Sequence, residues 1–249
     1  MKELSIGNGK IYEGDCNTIM PTLKEESVDL IVTSPPYNLE KEYVIHNDAM
    51  PYQEYLSFLE QTWQNCYRLL KWDGRICINL GNVSVKTREF TVAHVAFQLE
   101  KIGFNYRDHA IWNKQNIHKR TAWGSWKSPS CPYLIQPFEY ILVFNKKFGK
   151  KRGTQTDLTR EEFIDWTNAL WSFQPETKVK EHPAPFPMEL PKRLIKLYSF
   201  IGDTIFDPFL GSGTTGLVAE QLKRRWIGIE INPSFVELAK QRITRELKK

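Results

Sequence analysis

Asp207-Pro208-Phe209-Leu210-Gly211-Ser212-Gly213-Thr214-Thr215-Gly216 is the stretch that decides how this chain folds. It follows a short apolar run, 204–207, and precedes an amphipathic segment over 214–223, so it reads as a strand end, a glycine turn and the start of a helix. Glycines at such a turn let the backbone approach a ligand closely, and the first N–H groups of the helix point toward it. Gly211, Gly213 and Gly216 satisfy G-x-G-x-x-G, and Glu230 lies 19 residues after Gly211 at the end of the next apolar run, where a carboxylate can accept both hydroxyls of an adenosine ribose. Only 33 residues follow Gly216, room for one strand and one helix, whereas a dinucleotide-binding fold needs several more strands after this turn. The N-terminal half must therefore complete the sheet. That makes the order circularly permuted, with the nucleoside site last, and a cofactor carrying one adenosine fits it.

The rest of the chain supplies those strands. The run 28–33 is β-branched, ends at two prolines and reads as a buried strand stopped abruptly by a loop. A helical pattern over 52–70 leads through Trp72-Asp73-Gly74 to a strand at 75–80. A helix follows at 91–102, then strands at 106–112 and 139–144, a short helix near 160–169, a helix at 191–200, a strand at 226–230 and a closing helix at 233–248. Alternation of this kind predicts an α/β fold with a mainly parallel sheet.

The 249 residues, 41% apolar and 25% charged, exclude a disordered or collagen-like chain, and the net charge of +5 favours a polyanionic partner. Cys16, Cys66, Cys77 and Cys131 form no C-x-x-C pair and no metal spacing with histidine, so they read as reduced structural thiols and no metal is expected. The N-terminal segment has no signal-peptide core, and no apolar run reaches membrane-helix length. A cytoplasmic protein with no membrane association is the expectation.

A second constellation, Thr33-Ser34-Pro35-Pro36-Tyr37-Asn38, sits directly after the 28–33 strand, where α/β sheets place their chemistry. Two prolines fix the backbone and present carbonyls with no N–H donor. With the Ser34 hydroxyl as acceptor and Tyr37 as a flat plate, the loop suits an exocyclic base amine. Two hydrogen bonds hold the amino hydrogens and aim the nitrogen lone pair at an electrophile.

With both motifs in this order, the sequence resembles the beta-class DNA amino-methyltransferases (the N4-cytosine/N6-adenine family), in which a Ser/Asp-Pro-Pro-Tyr motif comes early and an F-x-G-x-G motif for S-adenosyl-L-methionine comes late. Glu13-Gly14-Asp15, the strand over 138–146 and His182-Pro183-Ala184-Pro185-Phe186-Pro187 extend the resemblance over residues 11–243. It implies a Rossmann-like, mainly parallel seven-stranded sheet with helices on both faces, and that Ser34, Pro35, Pro36 and Tyr37 are catalytic, the Ser34 hydroxyl and the Pro36 carbonyl holding the amine and Tyr37 stacking on a flipped base. It further implies that Asp207, Phe209, Gly211, Ser212, Gly213 and Thr214 line the cofactor pocket, that Glu230 binds the ribose hydroxyls and that Asp15 lies near the adenine. Double-stranded DNA is the implied partner, with a homodimer and a cognate restriction endonuclease as candidate further partners.

Serine at the first position of the catalytic motif is associated in the family with the N4 amine of cytosine. A hydroxyl can accept from the amine or donate to the neighbouring ring nitrogen. Adenine also offers an amine beside a ring acceptor, so the N6 reaction stands as the alternative. A nicotinamide-dependent dehydrogenase would explain the glycine turn alone, and a catalytically silent DNA-binding module would leave the proline loop unused. The chain reads as a single catalytic domain, residues 1–249, with DNA-recognition regions embedded at 113–137 and 146–182. Lys114, His118, Lys119, Arg120, Trp123 and Lys127 are the candidate DNA contacts, basic and aromatic side chains suited to phosphates and bases. The basic run 146–152 reads as a solvated turn.

Overall fold

The computed structural model describes residues 2–37, 42–43, 46–47, 50–81, 89–115, 124–134, 136–176 and 187–248. Its strands are β1 (Lys2–Ile6), β2 (Gly9–Glu13), β3 (Val28–Thr33), β4 (Glu42–Tyr43), β5 (His46–Asn47), β6 (Leu70–Leu80), β7 (Asn105–Asn113), β8 (Phe138–Asn145), β9 (Leu170–Ser172), β10 (Thr204–Asp207) and β11 (Arg225–Glu230). The helices are α1 (Cys16–Ile19), α2 (Tyr52–Leu69), α3 (Thr91–Ile102), α4 (Arg160–Trp166), α5 (Glu189–Tyr198), α6 (Thr214–Gln221) and α7 (Pro233–Leu247).

Nine strands form one sheet in the order β1-β2-β11-β10-β3-β6-β8-β7-β9, and β4 pairs with β5 apart from it. Within the nine, β1 and β8 run against the other seven. The Rossmann-like α/β expectation holds, with a sheet larger than the seven strands read from sequence. The additions lie at the edges: β1 forms a hairpin with β2, and the three-residue β9, directly after the stretch read as a short helix near 160–169, pairs with β7. The central strands β3 and β10 are buried throughout, as parallel strands covered on both faces must be.

Each face has its own core. On one, Tyr55, Leu59 and Trp63 of α2 and Val95 and Leu99 of α3 pack on Ile31, Ile76, Ile78 and Phe206. On the other, Leu194 of α5, Val218 of α6 and Val236 and Ile243 of α7 pack on Leu30, Val32, Ile205 and Ile11. The Trp72-Asp73-Gly74 turn is absorbed into β6 as an irregularity: Val28 pairs with Leu70 while Leu30 pairs with Arg75.

Trp226 on β11 is fully buried between two glycines and donates its indole N–H to Glu220 Oε2 at 2.7 Å. A Cβ on Gly9 would lie 2.1 Å from the indole, and one on Gly216 would lie 2.9 Å from it. Gly216, read from sequence as part of a ligand turn, is thus glycine because α6 packs closely on Trp226. Alanine at either position overpacks the core, an effect of roughly 1–3 kcal/mol. Gly216→Ala is expected to lower the melting temperature by about 2–4 °C, and Gly9→Ala by more, in thermal unfolding of the purified chain.

Candidate active site

The carboxyl ends of β3, β10 and β11 lie side by side, and a buried carboxylate ties the first two together. Asp207, at the end of β10, is 1% exposed. Its Oδ1 accepts from the Thr33 hydroxyl at 2.7 Å and from the Phe209 N–H at 3.0 Å, and its Oδ2 accepts from the Thr215 hydroxyl at 2.6 Å. One side chain therefore anchors the residue before Ser34, the glycine turn and the first turn of α6. Burial pushes its pKa up to about 6, against the lowering effect of Thr215, Thr33 and the Phe209 N–H. Asp29, near the other end of β3, is just as buried but faces Lys71 and Lys151. Burial raises its pKa, yet those cations and the Thr204 N–H bring it below the ordinary carboxylate value.

Glu230 joins the other loops. Its Oε2 accepts from the Gly211 N–H and its Oε1 from the Asn232 N–H, both at 2.8 Å, while its backbone carbonyl accepts from the Gly14 N–H at 2.9 Å. Burial raises its pKa, which the two backbone donors partly offset. Gly211 and Gly213 take positive φ of 53° and 83°, so the turn needs glycine there. Arg242 of α7 donates to the Ser212 hydroxyl at 2.7 Å and to the Thr214 hydroxyl at 3.3 Å, holding the turn from behind. Phe209 is part-buried, with its ring 6.0 Å from that of Phe58. Asp15 caps α1 through the Thr18 N–H at 2.8 Å and follows directly on Gly14. The structure thus brings Asp15, Asp207, Phe209, Gly211, Ser212, Gly213, Thr214 and Glu230 to one corner of the sheet. A carboxylate at the end of β11 beside backbone turned by two left-handed glycines is a donor and acceptor set that fits an adenosine-bearing cofactor.

Beside this corner stands the proline loop. Pro35 is buried, and the Pro36 carbonyl accepts from the Tyr55 hydroxyl at 2.8 Å, which leaves its second lone pair for a ligand. The Ser34 hydroxyl donates to Tyr37 Oη at 3.2 Å, and that hydroxyl donates to Glu139 Oε2 at 3.1 Å. Asn79 Nδ2 donates to Glu139 Oε2 at 2.7 Å and to Tyr37 Oη at 3.2 Å, and Lys114 Nζ is paired with Glu139 Oε1. Burial, then the neighbouring Glu139 charge, raises the Tyr37 phenol well above its ordinary pKa, so it stays a neutral hydroxyl. The sequence reading missed Asn79, Glu139 and Arg242. For Glu139 there was a signal: an acid opening the otherwise apolar run Phe138–Asn145 needs a partner when that run is buried.

The proposed DNA contacts are placed less completely. His118, Lys119, Arg120 and Trp123 lie outside the described residues, as does His182-Pro183-Ala184-Pro185-Phe186. Lys114 is engaged with Glu139, whereas Lys127 is exposed, with its ammonium 5.7 Å from the centre of the Trp126 ring. The basic run that follows β8 emerges at the opposite edge from Ser34, because β8 runs antiparallel to β6. There Lys146 reaches the Leu70 carbonyl at 2.7 Å, and Lys151 pairs with Asp29 and Asp203. Among the described residues no group of three or more His, Cys, Asp or Glu is placed to hold a metal, and no helix is long and apolar enough to cross a membrane.

Residues 28–241 match the family model described as DNA methylase, a span that contains both the proline loop and the glycine turn. The chain belongs to this DNA methylase family. Type II methyltransferase M.MjaVI of Methanocaldococcus jannaschii is 45% identical over 161 residues, 63% of this chain and 81% of that protein. M.MjaI of the same organism is 32% identical over 95% of this chain and 91% of its own length. TTHA0409 of Thermus thermophilus, solved in complex with S-adenosyl-L-methionine, superposes on the DNA methylase with a TM-score of 0.77 at 32% identity, covering 95% of this chain and 93% of that one.

The raised pKa of Asp207 gives a pH signature. Folding lifts its pKa from 3.8 to about 6, so folding favours the protonated form: the contribution is full below about pH 3.8 and is lost as pH rises through about 6. The amide of an Asp207→Asn variant would not titrate. Across pH 4 to 7, urea unfolding should show the wild type losing about 2–3 kcal/mol relative to that variant.

Proposed function

We propose that this DNA methylase transfers a methyl group from S-adenosyl-L-methionine to the exocyclic N4 amine of cytosine in double-stranded DNA. The observation that carries this reading is the pairing of the two motifs through Asp207, which sets the Ser34 loop beside the glycine turn. Asp15, Phe209, the glycine turn and Glu230 hold the cofactor, Glu230 receiving the ribose hydroxyls on its remaining lone pairs. When bound, the cofactor supplies a methyl group already activated on a sulfonium, whose C–S electron pair stays on sulfur.

The chain's own residues then do the positioning. Ser34 Oγ and the Pro36 carbonyl accept the two amine hydrogens, which aims the nitrogen lone pair, and the Tyr37 ring supports the base after it leaves the helical stack. Pro35 fixes the spacing between the two acceptors. No covalent enzyme intermediate is needed. Lys127, with His118, Lys119, Arg120 and Trp123, contacts DNA phosphates and bases, and affinity therefore falls with salt. The type II names of the relatives support a place in a restriction-modification system with a cognate endonuclease, working in the cytoplasm.

Serine at the head of the proline loop supports cytosine. One observation favours the N6 amine of adenine: the Ser34 proton is committed to Tyr37, so toward a substrate the hydroxyl offers only lone pairs, as a carboxylate would.

Incubation of the enzyme with unmethylated genomic DNA and methyl-labelled S-adenosylmethionine, followed by nucleoside mass spectrometry, is expected to yield labelled N4-methylcytosine. Labelled N6-methyladenine would keep the site and change the base, and no labelled nucleoside would overturn the reading. In the same assay Ser34→Ala should lose at least about a hundredfold in turnover, within the range that positioned acid–base groups contribute, with cofactor affinity kept within about twofold. Glu230→Ala should do the reverse first, weakening cofactor binding by about tenfold or more.

A further inference from the structure

We propose that Ser34, Tyr37 and Glu139 form a directed proton relay that carries the amine proton away from the reacting nitrogen, with Glu139 as its terminal acceptor. The inference rests on the reading of Ser34 as the group that holds the amine. An amine that gains a methyl group must shed a proton, and a serine hydroxyl cannot keep one: it can accept a proton only while handing on its own. The structure provides that hand-over. Ser34 Oγ donates to Tyr37 Oη at 3.2 Å and Tyr37 Oη donates to Glu139 Oε2 at 3.1 Å, so every donor in the chain points the same way.

As the nitrogen lone pair bonds to the methyl carbon, one N–H proton passes to Ser34 Oγ, the serine proton passes to Tyr37 and the tyrosine proton passes to Glu139. The electron pair of the broken C–S bond stays on sulfur. The net change is a neutral methylated amine and a protonated Glu139, with Ser34 and Tyr37 restored. The surroundings fit an acceptor. Glu139 is 6% exposed, so the relay is shielded from bulk water. Among the described residues, the charged or titratable groups that contact it are Tyr37 and Lys114. Asn79 does not titrate and holds both Tyr37 Oη and the carboxylate in line. Lys114 Nζ pairs with the other carboxylate oxygen, Oε1, and so lies outside the relay, which ends on Oε2. The hydroxyl of Tyr55 donates to the Pro36 carbonyl at 2.8 Å.

The test is a single-turnover, rapid-quench comparison of wild type, Glu139→Gln, Tyr37→Phe and the double variant. It uses saturating S-adenosylmethionine and a duplex containing the site at which mass spectrometry locates the mark. Cofactor and DNA affinities are measured alongside, with 2-aminopurine fluorescence at the target position as a readout of base exposure. Tyr37→Phe keeps the ring and breaks the relay, and it carries the test alone if Glu139→Gln does not fold.

The relay predicts that each single variant slows the transfer step by about a hundredfold, in the range typical of general acid–base groups. The double variant should be no slower than the slower single one, because both lie on one path. Both affinities and the 2-aminopurine signal should stay within twofold. Transfer within threefold of wild type in either variant, losses that multiply in the double variant, or losses confined to affinity would overturn it. Ser34→Ala separates the two readings. Full turnover in that variant refutes the assignment of Ser34 itself, whereas its loss beside an unimpaired Glu139→Gln refutes the relay alone.

Discussion

The buried carboxylate of Asp207 is the constraint on which the rest depends. Among the described residues it has three neutral donors and no cation, an arrangement that leaves its charge costly and lifts its pKa to about 6. A plain structural carboxylate would gain from a cation, as Asp29 does. At Asp207 a cation would fill the space in which two loops have to meet, and hydroxyl and amide donors are the small partners that fit. Asp29 and Asp207 thus lock β3 to β10 at both ends: Asp29 accepts the Thr204 N–H that begins β10, and Asp207 accepts the Thr33 hydroxyl that ends β3.

The sheet order turns this local tie into an active site. Ser34 and Gly211 are far apart in sequence, yet β3 and β10 are neighbours. Strands on one side of that junction, β10, β11 and β2, end in the cofactor corner. On the other side Asn79 lies next to the end of β6 and Glu139 next to the start of β8, and both reach the proline loop. The reversal of β8 matters here, because it brings the start of a strand, rather than its end, to the catalytic edge. The sheet therefore separates cofactor binding from amine handling and leaves Asp207 as the link between them.

Much of this was legible in the sequence. The strands Val28–Thr33 and Thr204–Asp207 and the helix Thr91–Ile102 stand where the apolar patterns put them, because continuous β-branched runs and a 3.6-residue period are local properties. The two motifs and their order were also local, and they led to the family. The edge strand Leu170–Ser172 was not legible, being three residues whose order comes from pairing with β7. Nor was the continuation of Leu70–Leu80 through Gly74, where pairing with β3 overrides a turn-like composition. Glu139, Asn79 and Arg242 owe their roles to partners 25 to 102 residues away, farther than a local sequence pattern reaches. Gly216 fitted a ligand motif while answering to Trp226, since close packing and close ligand approach demand the same residue.

The central claim, that Asp207 transmits the position of the cofactor turn to the catalytic loop through one hydroxyl, is tested most directly by Thr33→Val. This change removes the 2.7 Å bond to Asp207 and leaves those from Phe209 and Thr215 in place. Measured together, the cofactor dissociation constant should stay within twofold while the rate of methyl transfer falls at least tenfold. An unchanged rate, or a loss of cofactor binding that accounts for the whole effect, would contradict it.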